Sequence, residues 1–410
     1  MLKPRLAVMD GRDPHERGRV STPLELLFDL TFAIAFGVAA QHLADLVAKG
    51  HVAAGLVAFT FAMFATCWAW VNFSWFASAY DTDDWAFRLM TMLQMVGVLI
   101  LALGLPDMFA SFEKGARPDD AIMVAGYVIM RVALVGDWLR AARQDRKRRR
   151  ACLTYALGTA AVQVGWVALV ILPVPIAALL PLMGVFIVAE MATPWVAESK
   201  DGGTPWHAHH IAERYSLLAI IALGEGLAGA LAAISAVVGS HGWNIDAVMV
   251  CIAGAGLTFG MWWVYFLIPS APVLHLQRGK AFGWGYGHMV LFAAIAATGA
   301  GFRVTAAYIA GEAAIGPVVT ALSVAMPVAV YVAAIYGLYA WLMRRGDPLH
   351  IGLLAGTAAL LAAAVGLAAA GVSLAVCLIV LMAAPLVTVI GYELAGRRHA
   401  AEAMARVMAE

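Results

Sequence analysis

The chain has 410 residues, of which 63% are hydrophobic and only 13% charged, with a mean hydropathy of +0.83 and a formal net charge of +1. Soluble domains carry roughly 25% charged residues, so this composition excludes a string of soluble domains. The long Ala, Val, Leu and Ile runs do not alternate as the strands of an outer-membrane barrel do. They predict an all-α fold, a polytopic transmembrane helical bundle.

The first twenty residues are polar and carry Lys3, Arg5, Arg12, Arg17 and Arg19. The apolar run after them is too long for a signal-peptide h-region, so no cleavable leader is expected. A span needs about 20 mostly apolar residues. Spans are predicted at 22–47, 52–77, 86–110, 120–140, 151–171, 175–194, 209–238, 245–268, 282–309, 315–343, 349–370 and 372–394. With the N-terminus cytoplasmic, this twelve-span arrangement places 21 of the 27 lysines and arginines on the cytoplasmic side. Only Lys49, Lys114 and Arg117 fall outside, and Arg131, Arg214 and Arg303 lie within spans. That asymmetry matches the positive-inside pattern and predicts a bacterial inner-membrane protein with both termini cytoplasmic. The basic run Arg140–Arg150 reads as a positive-inside stop signal that also touches lipid head groups. The tail after Arg397 reads as a short amphipathic helix at the cytoplasmic surface.

Short matches at an offset of about 190–200 residues suggest an internal duplication. Glu25 answers to Glu213. Trp70-Val71-Asn72-Phe73 answers to Trp263-Val264-Tyr265-Phe266, and Gln94-Met95-Val96 to His288-Met289-Val290. Trp138-Leu139-Arg140 and Trp341-Leu342-Met343-Arg344 end the fourth span of each half, and Gly158-Thr159-Ala160-Ala161 parallels Gly356-Thr357-Ala358-Ala359. The expected organisation is a basic N-terminal segment (1–20), two parallel six-helix repeats (21–200 and 201–395) and a tail (396–410). Parallel repeats place transporter sites between the halves, near the midplane.

Chemistry is expected where ionisable residues interrupt apolar spans. A charge at membrane depth costs at least roughly 2.5–3.5 kcal/mol on insertion scales and usually pairs inside the protein. In span 1, Ser21 or Thr22 can cap the helix, and Glu25 and Asp29 are four apart on one face. Glu25 could serve only the positive end of the helix dipole; Asp29 is deeper. In span 7, His210, Arg214 and Glu225 share a face, while Glu213 points about 100° away. Arg214 is expected to pair with Asp29 or Glu25. That pair either shapes a polar site or only fixes helix packing. Glu225 and Arg131, both near mid-span, are possible partners; an unpaired Glu225 would be a proton carrier. Asp137 and Glu190 are expected to contact basic loop residues.

Other motifs carry less. His207, His209, His210 and Glu213 cluster, but without the HExxH spacing of a zinc protease. Asp81, Asp83 and Asp84 are the metal candidates, since carboxylates there can hold Mg²⁺ against a pyrophosphate. The structural alternative is a capped start to span 3 with Arg88 as partner. No metal and no cofactor are expected. Trp68, Trp70, Trp75, Trp262 and Trp263 read as interface belts and packing. Cys67, Cys152, Cys251 and Cys377 stand singly, as packing residues.

Thr22-Pro23-Leu24-Glu25-Leu26-Leu27-Phe28-Asp29-Leu30, His210-Ile211-Ala212-Glu213-Arg214 and Leu223-Gly224-Glu225 resemble motifs of the low-temperature-requirement protein A (LtrA) family. Asp81-Thr82-Asp83-Asp84 with Arg88 is similar to a third block of that family. The resemblance runs in order from about residue 20 to 390 and implies a bacterial integral membrane protein; the family name denotes growth in the cold, not a reaction. The expected function is a secondary, proton-coupled transporter of a small solute, with Glu25, Asp29, Glu213, Arg214, Glu225, Arg131 and His210 along the substrate or ion pathway. The partners are membrane lipids and a small-molecule or ion substrate, with no nucleic acid. Alternatives are a membrane enzyme acting on a lipid or polyprenyl phosphate, a channel, or a structural cold-stress protein.

Overall fold

The computed structural model describes residues 6–268, 270–343 and 348–396, and among these there is no strand. The helices are α1 (Pro23–Ala48), α2 (Val52–Tyr80), α3 (Trp85–Glu113), α4 (Ala121–Gln144), α5 (Arg149–Ile171), α6 (Ile176–Glu198) and α7 (Ala208–His241). They continue as α8 (Ile245–Tyr265), α9 (Ser270–Leu276), α10 (Ala281–Ile309), α11 (Pro317–Met343), α12 (Pro348–Ala369) and α13 (Leu374–Gly391). Twelve of the described helices are long and apolar enough to cross a membrane, as expected from the sequence. The seven-residue α9 and the single 3₁₀ turn Arg278–Lys280 were not anticipated. They lie where the apolar periodicity is broken between the eighth and ninth spans. The expected amphipathic tail lies outside the described residues.

Local chemistry sets the helix ends. Thr22 and Glu25 form a reciprocal capping box: the Thr22 N–H donates to Glu25 Oε2 at 2.8 Å, and the Glu25 N–H to Thr22 Oγ1 at 3.3 Å. Asp84 caps α3 through the Phe87 N–H, and Asn244 caps α8 through the Ala247 N–H. Proline opens α1, α11 and α12, where its missing N–H costs nothing.

The chain divides into two compact units. Unit 1 comprises Met1–Ala35 and Phe64–Arg214; unit 2 comprises Phe36–Met63 and Tyr215–Glu410. In unit 1, α3 packs on α4, α4 on α5, and α5 on α6. The α3–α4 approach depends on glycine: a Cβ added at Gly104 would lie 2.3 Å from the Met123 nitrogen, and one at Gly126 2.3 Å from the Leu101 nitrogen. Small residues let membrane helices come this close. Aromatic rings fill the core beside them, with Phe28 and Phe73 centroids 3.9 Å apart and Trp138 stacked on Tyr155 at 4.1 Å. In unit 2, α10 packs on α11, and α13 on α8 and α12. Its core holds a cage of Tyr215, Trp284, Tyr265 and Phe292 around His288.

Candidate functional site

The main site is in unit 1, where the first turns of α1 and α7 meet the C-terminal half of α2. Glu25, Asp29, His210 and Arg214 are each 0% exposed. Arg214 joins both carboxylates: Nη2 donates to Asp29 Oδ1 at 2.5 Å, and Nη1 lies 3.1 Å from Glu25 Oε1. His210 Nε2 lies 3.2 Å from the Glu25 carboxylate. From α2, the Trp70 indole N–H donates to Asp29 Oδ1 at 2.6 Å, and Ser74 Oγ accepts from Arg214 at 3.3 Å. The guanidinium carbon also lies 5.7 Å from the Trp70 ring and 5.9 Å from the Phe73 ring, within cation–π range. Asp29 Oδ2, His210 Nδ1 and Arg214 Nε have no hydrogen-bond partner, and Glu25 Oε1 has only its ion-pair contacts with Arg214 Nη1 and His210 Nε2.

The polypeptide before α1 crosses this end of unit 1 as an extended strap. The Ala7 N–H donates to Asp84 Oδ2 at 3.1 Å, the Met9 N–H to Gln144 Oε1 at 2.6 Å, and the Arg12 N–H to the Ala79 carbonyl at 2.9 Å. Arg19 donates to the Ala77 carbonyl at 3.0 Å, and His207 Nε2 lies 2.9 Å from the Glu16 carbonyl. The Ser21 N–H donates to Glu213 Oε2 at 3.1 Å. Glu213, pointing away from Arg214 as helical geometry requires, thus ties the strap to α7.

Next to the strap, the Asp81–Asp84 segment forms a turn. Asp81 Oδ1 accepts from the Asp83 N–H at 2.8 Å, and Asp83 adopts the left-handed region at φ 48, which Asp tolerates. Asp83 pairs with Arg88 at 2.8 Å, and Asp84 pairs with Arg140. Burial pushes the Asp84 carboxyl up, but the Arg140 guanidinium and the Phe87 N–H outweigh it and hold the group at about 2. Asp81 is different. Burial, with Glu25 nearby, pushes it to about 6 against the pull of the Asp83 N–H, Arg19 and Arg12. Two of the three carboxylates therefore serve arginines, and the third points its Oδ1 at a turn N–H. Among the described residues no three His, Cys, Asp or Glu side chains converge as metal ligands.

A second buried ion pair in unit 1 joins Arg131 of α4 to Glu190 of α6 at 3.3 Å. Tyr127 accepts from Arg131 and donates to Glu190 Oε1 at 3.3 Å, and the Trp68 indole N–H donates to Glu190 Oε2 at 2.7 Å. This corrects two expectations: Arg131 pairs with Glu190 rather than Glu225, and Glu190 serves a span rather than a loop. Trp68 and Trp70 are also fully buried donors to carboxylates, not belt residues. Trp262 and Trp263, 45% and 46% exposed, keep outward positions.

In unit 2, Glu225 of α7 pairs with Arg303 of α10 at 2.9 Å, and Arg303 also donates to Gln41 Oε1 at 3.3 Å. Glu225 is therefore not the unpaired carboxylate that a lone proton carrier would be. Gly37 and Gly299 make room for it: an added Cβ at Gly37 would lie 2.8 Å from Glu225 Oε1, and one at Gly299 2.5 Å from the Glu225 carbonyl oxygen. Sequence reading placed Arg303 inside a span but gave it no partner. Its missed partner is two spans away in the chain, so no local spacing reveals it. The Tyr127–Arg131 contact did carry a signal, since residues four apart share a helical face.

Twelve spanning helices with ionic groups enclosed among them define a multi-span integral membrane protein. The family model of the bacterial low temperature requirement A protein (LtrA) matches residues 20–385, and the chain belongs to that family. The chain is also 26% identical over 255 residues to an uncharacterized protein of Rhizobium meliloti; the match covers 59% of this chain and 57% of that protein. The chain thus spans little more than half the length of that relative. No solved structure gives a significant match.

Proposed function

We propose that this protein is a secondary transporter of the inner membrane, built on two six-helix repeats with cytoplasmic termini, that moves a small solute coupled to protons. One observation carries the reading: the Glu25–Asp29–His210–Arg214 group is wholly buried yet leaves three polar atoms, Asp29 Oδ2, His210 Nδ1 and Arg214 Nε, without hydrogen-bond partners. A group kept only for packing favours full satisfaction, because an unsatisfied buried polar atom costs about 1–3 kcal/mol. Unsatisfied ionisable groups in a membrane bundle fit an ion or solute pathway. The strap over α1 and α7 would close this pathway on the cytoplasmic side. The close glycine contacts between α3 and α4, and the Cβ-excluding approach of Gly301 to Ser323 between α10 and α11, support the repeat.

The test is electrophysiology on proteoliposomes fused to a solid-supported membrane. Amino acids, sugars, nucleosides and inorganic ions are perfused at several pH values. A saturable transient current for one solute class, altered by an imposed pH gradient and lost in Arg214→Gln, is the expected result. Unsaturable conductance would establish a channel instead, and silence across the whole panel would count against transport.

A further inference from the structure

The buried charges at the α1–α7 end of unit 1 do not balance. Three buried carboxylates (Glu25, Asp29 and Asp81) stand against two buried guanidiniums (Arg19 and Arg214). The groups around them do not repair the count. Arg12 is engaged with Glu16 at 2.9 Å, and half-buried Glu213 on α7 adds negative charge. Helix α2 presents Trp70 and Ser74, which donate and accept hydrogen bonds but carry no charge. The remaining titratable neighbours are His210, in contact with Glu25, and His207, whose Nδ1 accepts from the His210 N–H at 3.2 Å. Burial lowers His207 from its ordinary value, which disfavours its charged form. The other pairs are balanced one to one: Arg131 with Glu190, and Arg303 with Glu225.

An uncompensated charge excluded from water neutralises by binding a proton. Resting on the transporter reading, we infer that the coupled ion is a proton held by the Glu25–His210–Asp29 group, and that Glu225 is not its carrier. The proton comes from water and returns to water; only an N–H or O–H bond forms and breaks. It belongs to the group as a whole, as in any set of strongly coupled sites. On His210 it makes the imidazole a double donor, giving Nε2–H to Glu25 and leaving Nδ1–H, which has no acceptor in this state, available to a solute or a water. On Asp29 it sits at Oδ2, the oxygen that neither Trp70 nor Arg214 engages. The proton's approach from this end passes beneath the strap, past Ser21–Glu213 and Glu16–His207.

Proton binding is measured directly on the purified full-length protein, with an indicator dye reporting protons taken up as the sample is acidified from mildly alkaline pH. The double variant His210→Gln/Asp29→Asn should take up fewer protons than the wild type, by one per molecule near neutral pH. Glu225→Gln should keep that event, and Asp81→Asn should keep it too, losing only the separate uptake of Asp81 itself near pH 6. Arg214→Gln should have the opposite sign and bind an additional proton, because it removes a positive charge. Thermal melts report which variants are folded, and Glu25→Gln supplies a second variant if the double one is not. Equal uptake by all folded variants, or loss of the event only in Glu225→Gln or Asp81→Asn, overturns the inference. Uptake as described with no solute current would retain the proton site while rejecting the transporter reading.

Discussion

Units 1 and 2 each carry ionisable residues inside apolar helices, but they treat them differently. In unit 2, Glu225 and Arg303 form a one-to-one pair that keeps 15% and 21% of its side-chain surface accessible. In unit 1, Glu25, Asp29, His210 and Arg214 have none, and one guanidinium answers two carboxylates. A single pair with an outlet to its surroundings can be a structural tie. An enclosed group with unequal charges favours a bound proton that evens the count. Similar residues on one helix, α7, therefore carry different chemistry at its two levels.

The comparison breaks hardest at Arg214. Arg214→Gln leaves two buried carboxylates facing each other, and removing one partner of a buried pair costs about 3–5 kcal/mol. Thermal unfolding in detergent should show the largest fall of any single change in the site. Arg214→Lys should recover only part of it, since an ammonium cannot span Glu25 and Asp29 in the fork geometry of a guanidinium. A melt close to wild type for Arg214→Gln would mean that the carboxylates are already neutral.

Asp81 tests whether the excess negative charge is confined to the helices. Its folded value of about 6 lies above the ordinary aspartate value of 3.8. Below about pH 4 the carboxyl is protonated in both states and contributes no difference. As pH rises through the folded value, the unfolded chain has already ionised while the folded chain must ionise at a cost, so stability falls. Asp81→Asn should therefore leave the melt unchanged near pH 4 and raise it above pH 6, with an upper bound of about 3 kcal/mol. A gain that is flat across pH would place the effect in the turn rather than in the charge.

Trp70 and Trp68 address the links from α2. Trp70→Phe removes the indole donor to Asp29, and Trp68→Phe removes the donor to Glu190. Each should cost about 1–3 kcal/mol, the range for leaving a buried acceptor short of a partner. Trp70→Phe should also move the proton-uptake midpoint, because Asp29 loses the indole donor. Trp68→Phe, beside a balanced pair, should leave the midpoint in place. Equal shifts in both would show that α2 joins the two groups electrostatically.

Much of this arrangement is legible in the sequence, and the rest fails for identifiable reasons. Span positions follow from apolar run length, which a bilayer-spanning helix fixes directly, so all twelve appear within a few residues of their expected ends. The Arg214 partnership with Glu25 and Asp29 is also readable. Charges in apolar runs must find each other, and four-residue spacing puts both carboxylates on one face. The pairings of Arg131 and Glu225 are not readable. Each has several carboxylates or guanidiniums at comparable depth, and helix adjacency selects among them. Trp68 and Trp70 mislead because an amphipathic indole serves an interface belt and a buried donor equally well. The Asp81–Asp84 run misleads less: its turn spacing already suits a cap, and the arginines that engage it are Arg88 nearby and Arg140, 56 residues on from Asp84 in sequence.

The smallest effect belongs to the unit 2 pair. Arg303→Gln should cost about 1 kcal/mol, in the range of partly exposed ion pairs, because Glu225 retains access to its surroundings. The double variant Arg303→Gln/Glu225→Gln should lie close to either single variant, since each single change already removes the ionic interaction and the second removes only a leftover charge. A double-mutant cycle in thermal unfolding gives the coupling energy between the two residues. Gly37→Ala provides an independent handle: its methyl would press on the Glu225 carboxylate 2.8 Å away, so it should lower stability in the Glu225 background and much less once Glu225 is glutamine, whose amide can turn aside. A coupling as large as the loss expected for Arg214→Gln would erase the distinction between the two units and make Glu225 a second enclosed charge.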